Sequence, residues 1–283
     1  MAHSISFLNM KGGVGKTTMA VNTAYYLSMK KKYKTLLIDL DPQYNATQYL
    51  VDIEKNQDYV NGSKPTVFDI IMMQGVGYRS ILNGSKKTHE KEDVTLDEVK
   101  REIWSGHGKL DLIPGTLHLI NLEMAGRGLE HRLQNFVKKI EDAYDFIIID
   151  CPPTFSIFLL SGILASERYL VPVRPDPLSM LGIPLLEEVI NYYHRIYGQV
   201  SEPLGVIFTM VRRTNLMDEV REAVKQTSVG ERYVFESFCR LSKCYADASK
   251  NHIPLFEDWY ARYHGYDNEM NKIIDELLLI LEE

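Results

Sequence analysis

The chain has 283 residues, 45% hydrophobic and 25% charged, with a formal net charge of −6. That apolar content can fill a globular core, and the acidic balance argues against a uniformly basic nucleic-acid binder while leaving room for a local patch. Cys151, Cys239 and Cys244 form no C-x-x-C pair, which gives neither a disulfide framework nor a zinc site. No apolar run is long enough to span a bilayer, and Met1-Ala2-His3-Ser4 lacks the regions of a signal peptide. The chain reads as cytoplasmic, and the sequons at Asn45, Asn61 and Asn83 as chance matches.

The first element is a short apolar strand, Ile5-Ser6-Phe7-Leu8. Asn9-Met10-Lys11-Gly12-Gly13-Val14-Gly15-Lys16-Thr17-Thr18 follows, and from Met19 to Met29 the apolar spacing is helical. Strand, glycine loop and helix are the context of a phosphate-binding loop. Glycines let amide N–H groups crowd around phosphate oxygens, and the helix aims its positive end at the same point. The nucleotide-binding set is therefore Lys11, Gly12, Gly13, Val14, Gly15, Lys16, Thr17 and Thr18. Lys16 would reach the β/γ-phosphates, and the Thr17 hydroxyl would ligate Mg²⁺.

The usual loop, G-x-x-x-x-G-K-[ST], would have a glycine where Met10 stands. The form present, with Lys11 before the glycine pair, is the deviant Walker A motif and resembles the ParA/MinD group of ATPases. The resemblance implies ATP and Mg²⁺ as ligands, and a Lys11 that crosses a dimer interface to the partner subunit's ATP.

Helix one ends in Lys30-Lys31-Lys32-Tyr33-Lys34, cations that offset a helix C-terminus. Thr35 to Asp41 is a continuous apolar run that turns acidic, as a central parallel strand does when its end carries chemistry. With Pro42-Gln43-Tyr44-Asn45-Ala46-Thr47 it resembles the family's switch I. That likeness implies that Asp41 orients or activates the attacking water and that Asp39 supports the Mg²⁺ shell. Residues 51–109 form a variable, insert-like region. In it, Thr66 to Ile71 starts a short helix, 84–93 is a charged loop, and Glu98 to Trp104 is a short helix or an edge element. Leu110 to Gly115 is a strand resembling the family's "LDLIPAT" stretch. A helix is expected from Leu117 to Leu133, weakened by Gly126 and Gly128.

Tyr144 to Asp150 is the most strand-like run, with Asp150 where a Walker B carboxylate would hold Mg²⁺ through water. Cys151-Pro152-Pro153 resembles switch II, with Cys151 an inert buried thiol. Arg168 to Pro175 is a strand and turn, Met180 to Tyr197 an amphipathic helix stopped by Gly198, and Leu204 to Val211 a buried strand. In the family the end of this last strand lies near the adenine, which makes Met210 a candidate contact. The alternation gives an α/β fold: a doubly wound, mostly parallel twisted sheet of seven or eight strands with helices on both faces. No linker interrupts it, so residues 1–283 read as a single P-loop ATPase domain. No separate DNA-reading domain fits before residue 4.

Residues 212–250 hold eight Lys/Arg and six Asp/Glu, a net +2 against −8 elsewhere. Thr209 to Leu216 and Cys239 to Cys244 resemble ParA stretches, where the likeness implies sequence-independent DNA binding by Arg213, Arg240 and Lys243. The alternative is a solvated face with intramolecular ion pairs. The tail, Tyr266 to Leu281, carries an apolar helical face, but its acids suit core packing better than an anionic membrane. The resemblance implies a partition ATPase of a plasmid or chromosome: an ATP-sandwiched homodimer, nucleoid-associated, slow in hydrolysis until a centromere-bound ParB-like partner stimulates it. MinD-like positioning on a membrane or a protein cargo is the alternative. A cluster carrier of the nitrogenase iron-protein type lacks a suitable thiolate pair.

Overall fold

Runs that read as buried strands become one sheet in the computed structural model, which describes residues 1–52, 64–73, 94–124, 128–176, 181–198, 200–212 and 216–282. The strands are β1 His3–Phe7, β2 Lys34–Asp39, β3 Arg101–Ser105, β4 Lys109–Ile113, β5 Phe146–Asp150, β6 Arg168–Val173 and β7 Glu202–Phe208. Their order is β3-β4-β2-β5-β1-β6-β7. Only the β3–β4 pair is antiparallel. Every residue of β5 is buried, as expected of a central strand covered on both faces.

The helices are α1 Lys16–Tyr25, α2 Asn45–Leu50, α3 Val67–Met73, α4 Leu96–Val99, α5 Arg132–Ile140 and α6 Ile157–Ala165. They continue with α7 Gly182–Tyr197, α8 Leu216–Lys225, α9 Ser228–Arg232, α10 Cys244–Lys250, α11 Trp259–His264 and α12 Tyr266–Glu282. One core joins Val67, Phe136, Phe158, Ile183 and Val220 from α3, α5, α6, α7 and α8 to one face of the sheet. The other joins Met19, Tyr49, Ala248, Ala261 and Ile273 from α1, α2, α10, α11 and α12 to the opposite face. The doubly wound expectation is met.

Two regions differ from the sequence reading. Glu98 to Trp104 is neither a helix nor an edge element alone. A capping box between Thr95 and Glu98 starts α4, and edge strand β3 follows at once. The helix expected over Leu117–Leu133 is a 3₁₀ segment, Leu117–Met124, and α5 begins only at Arg132. In a 3₁₀ turn residues three apart share a face. Accordingly Leu119 and Leu122 are buried while Leu117 and Ile120 stay exposed. Gly128 has φ +103°, outside the helical region.

The tail behaves as read: α12 buries Met270, Ile273, Ile274 and Leu277. Its start is tied to the back of α1, where the Tyr26 hydroxyl donates to the Asp267 carbonyl at 2.9 Å. No helix among the described residues is long and apolar enough to cross a membrane.

Candidate nucleotide-binding site

Strand pairing sets the site. Phe7 and Asp39 are both register partners of Asp150. The loop after β1, the acids closing β2 and the acid closing β5 therefore meet at the C-terminal edge of the sheet. In the loop, Gly13 and Gly15 take φ of +73° and +86°, which only glycine adopts without strain. The Asn9 side chain holds the loop's start, donating to the Pro172 carbonyl and accepting from the Lys11 amide, both at 2.9 Å. Thr209 at the end of β7 holds its middle: the Thr209 hydroxyl donates to the Val14 carbonyl at 2.7 Å. Lys16 opens α1 and turns its ammonium back to the Lys11 carbonyl at 3.1 Å. Burial holds the Lys16 pKa below the ordinary lysine value, and Asp150 and Asp41 pull it back up. A desolvated cation beside two acids is suited to receiving phosphate charge.

Asp150 is fully buried, and neither carboxylate oxygen has a hydrogen-bond partner among the described residues. Burial, then the charge of Asp39, pushes its pKa well up, while Thr17 and Lys16 favour the ionised form. An orphaned buried carboxylate beside a threonine hydroxyl fits a hydrated divalent cation. Thr17 and Asp150 are the residues that would hold Mg²⁺.

Asp39 plays a different part. One oxygen accepts from the Thr47 amide at 2.8 Å and the Thr47 hydroxyl at 2.7 Å, and the other accepts from the Asp41 amide at 3.2 Å. Burial raises its pKa to about 7. Its oxygens brace the turn from Asp41 to α2, and as the register partner of Asp150 it stands next to the residues that would hold Mg²⁺. Gly115 closes this brace, since a Cβ there would stand 2.9 Å from the Asp39 carboxyl carbon. Asp41, 8% exposed, accepts from the Gln43 amide at 2.8 Å and stands at the rim of the site.

Beside the loop lies a cleft open to solvent. Gly15, Thr18 and Met19 form one wall, Thr209 and Met210 another, and Cys239 to Ser242 with Tyr245 the third. The third wall is pinned to the end of β7: the Val211 amide donates to the Cys239 carbonyl, and the Leu241 amide to the Val211 carbonyl, each at 3.0 Å. A mostly apolar slot next to a phosphate loop suits a flat base, and Met210 is one of its lining residues. Sequence reasoning left Asn9, Thr47, Thr209 and Tyr245 unassigned. Asn9 and Thr209 stood inside quoted motifs, but their partners are 163 and 195 residues away.

Of the DNA candidates, Arg213 lies outside the described residues. Arg240 is engaged within the chain. Its guanidinium pairs with Glu269, donates to the His264 carbonyl at 2.9 Å and lies 4.5 Å over the Tyr266 ring. Lys243 is exposed, 5.2 Å over the Tyr260 ring. Arg221 and Lys225 pair with Glu236 and Glu222. Intramolecular pairing thus takes Arg221, Lys225 and Arg240.

An apolar strip borders the site. Phe155, just beyond the Pro152-Pro153 turn, stacks on Tyr193 with centroids 5.6 Å apart and planes at 6°. Phe155, Leu181, Leu185, Tyr192 and Ile196 are all exposed. The strip begins at the loop itself, since a Cβ on Gly182 would stand 2.4 Å from Asn9 Oδ1 and 3.5 Å from Lys11 Cβ. Contiguous exposed apolar surface of this kind marks an interface.

Residues 2–201 match a family model described as an AAA domain. The chain is 32% identical over 233 residues to the sporulation initiation inhibitor protein Soj of Bacillus subtilis, covering 80% of each chain. It is 29% identical over 259 residues to the chromosome-partitioning ATPase Soj of Treponema pallidum, covering 90% of this chain and 89% of that one. Among solved structures it is similar to an ATP complex of a McdA variant from Cyanothece, with TM-score 0.76, 21% identity and coverage of 99% of this chain and 96% of that one.

Proposed function

Because the chain belongs to this AAA-domain family, as a P-loop ATPase of the ParA/MinD type, we propose that it is a partition or positioning ATPase that dimerises around ATP. Two subunits sandwich their nucleotides, and hydrolysis resets the pair. The observation that carries this reading is Lys11. Its amide and carbonyl are fixed by Asn9 and Lys16, while its ammonium makes no ion pair among the described residues. It stands at the head of the exposed strip, where a second subunit would bring its own triphosphate.

Within each subunit the residues divide the work. Amides of Gly12 to Thr18 cradle the phosphates, and the base enters the cleft beside Met210. Lys16, already desolvated, takes up charge on the β/γ-phosphates. Thr17 and Asp150 would hold Mg²⁺, which would supply neutralisation of the charge developing on the phosphates. Asp41 at the rim orients the attacking water. Asp39 keeps Asp41 in place through the shared turn. Positioning and charge neutralisation are most of what phosphoryl transfer requires. The ATP-bound dimer would hold DNA without sequence preference in the nucleoid of the cytoplasm, through Lys243, Arg213 and an Arg240 released from Glu269. A centromere-bound, ParB-like partner would stimulate hydrolysis. The tail lying on a membrane is not favoured, because the apolar face of α12 is already in the core.

The test is sedimentation with ATP, with ADP and without nucleotide. Wild type should pair only with ATP, Lys11→Ala should stay monomeric with ATP bound, and Asp41→Ala should remain a trapped dimer that does not turn over. A Lys11→Ala protein that pairs as well as wild type would sink the proposal.

A further inference from the structure

Helix α11 presents two rings to solvent on one face. Trp259 and Tyr263, four residues apart, are 68% and 80% exposed, the most exposed aromatic side chains among the described residues. Their helix is held firmly from behind. The Asp258 carboxylate caps it by accepting from the Ala261 amide at 2.8 Å, Ala261 is buried, and Gly265 ends it at φ +75°. Below lies a ladder of rings and cations. Tyr260 and Tyr266 stack with centroids 6.3 Å apart at 13°, Lys243 lies over Tyr260, and Arg240 lies over Tyr266. Arg262 and His264 are exposed on the same turn and a half. Of the acids nearby, Asp258 is used in the cap and Glu269 on Arg240, while Glu257 is exposed.

We propose that Trp259 and Tyr263 form a base-stacking contact with DNA, flanked by phosphate contacts from Lys243 and Arg262. This rests on the DNA-binding reading above and adds a different kind of contact. Cations alone read only the backbone and weaken uniformly with salt, whereas exposed rings stack on bases and favour strands whose bases are unpaired. The composition decides against a lipid surface. A helix lying in a bilayer interface needs a broad apolar face, and α11 reads Trp-Tyr-Ala-Arg-Tyr-His with no large aliphatic residue. Rings interleaved with cations are what a polyanion carrying flat bases requires. The surface also adjoins the nucleotide cleft, because Arg240 belongs to the cleft wall and Lys243 follows directly after it.

The chain has two tryptophans, so the emission of wild type minus that of Trp259→Phe isolates Trp259 from Trp104. ATP-bound protein is titrated with labelled single strands and duplexes of equal length, reading both anisotropy and Trp259 emission. Single strands should bind more tightly and quench Trp259. Trp259→Ala and Tyr263→Ala should each weaken binding roughly 5- to 150-fold. Both should leave ATP binding and the salt slope unchanged, whereas Lys243→Ala should lower that slope by about 0.7–0.9. If DNA binds but Trp259 is not quenched and the alanine variants bind like wild type, the stacking contact is wrong while DNA binding stands. No anisotropy change with any DNA defeats the DNA reading itself, and this contact with it. A blue shift on phosphatidylserine vesicles without a response to DNA would reassign the rings to lipid.

Discussion

Replacing Thr209 by Val tests what holds the phosphate loop before any nucleotide arrives. Thr209 is 2% exposed and Val14 1% exposed. Valine keeps the β-branch and the methyl that packs beside Gly15, but puts a second methyl where a hydroxyl donates at 2.7 Å. The buried Val14 carbonyl then loses its donor. Leaving such a group unsatisfied costs about 1–3 kcal/mol, which should appear in full as lost stability of the unliganded protein in urea. ATP affinity follows a bound. If the hydroxyl pre-shapes the loop, binding must supply the lost order, and Kd rises by at most the same energy, roughly 5- to 150-fold. If the loop closes equally well without it, Kd is unchanged while stability still falls. Thr209→Ser keeps the donor and removes only the methyl, so it should keep wild-type ATP affinity with about 1 kcal/mol less stability. A valine variant that matches wild type in both urea midpoint and ATP titration would refute the reasoning.

Two further expectations concern charge. Burial raises Asp39 from 3.8 to about 7, so the native state binds more protons than the unfolded chain between those limits. Its contribution to stability therefore falls as pH rises from about 4 to about 7, and the full penalty stands above that. Asp39→Asn removes the titration, so the stability difference, variant minus wild type, should climb across that window and then level off. Parallel pH profiles, differing only by a constant offset from the amide facing the Asp41 N–H, would contradict this. Glu269→Gln should release the Arg240 guanidinium, strengthening DNA binding several-fold and steepening its salt slope by about 0.9. An unchanged slope would make Arg240 a strut within the subunit.

The parts legible in the sequence share one property: their signal is local. Phe146 to Asp150 reads as a strand because both its faces must be covered, and the run from Lys11 to Thr18 reads as a loop because glycine and lysine spacing is read within a few residues. The missed features are pairings across the chain. Asn9 does not announce Pro172, nor Thr209 Val14, because neither contact leaves a periodic trace. Arg240 read as a DNA candidate with intramolecular pairing as the alternative, and nothing local named its partner, since Glu269 reaches it only after α12 has packed. Leu117 to Met124 misled because an apolar residue every three positions serves a 3₁₀ turn as well as an α-helix.

The pairing of Asp39 with Asp150 and of Phe7 with Asp150 across three neighbouring strands has a wider consequence. Spacing between the reacting groups is inherited from the ladder of main-chain bonds at the centre of the sheet, about 4.8 Å per strand. It does not depend on the periphery, where outer segments such as α11 can drift without detuning the hydrolytic motor. A chassis built this way can change its passenger while keeping its engine, and chimeras that exchange only those outer segments should inherit the donor's cargo and the recipient's clock.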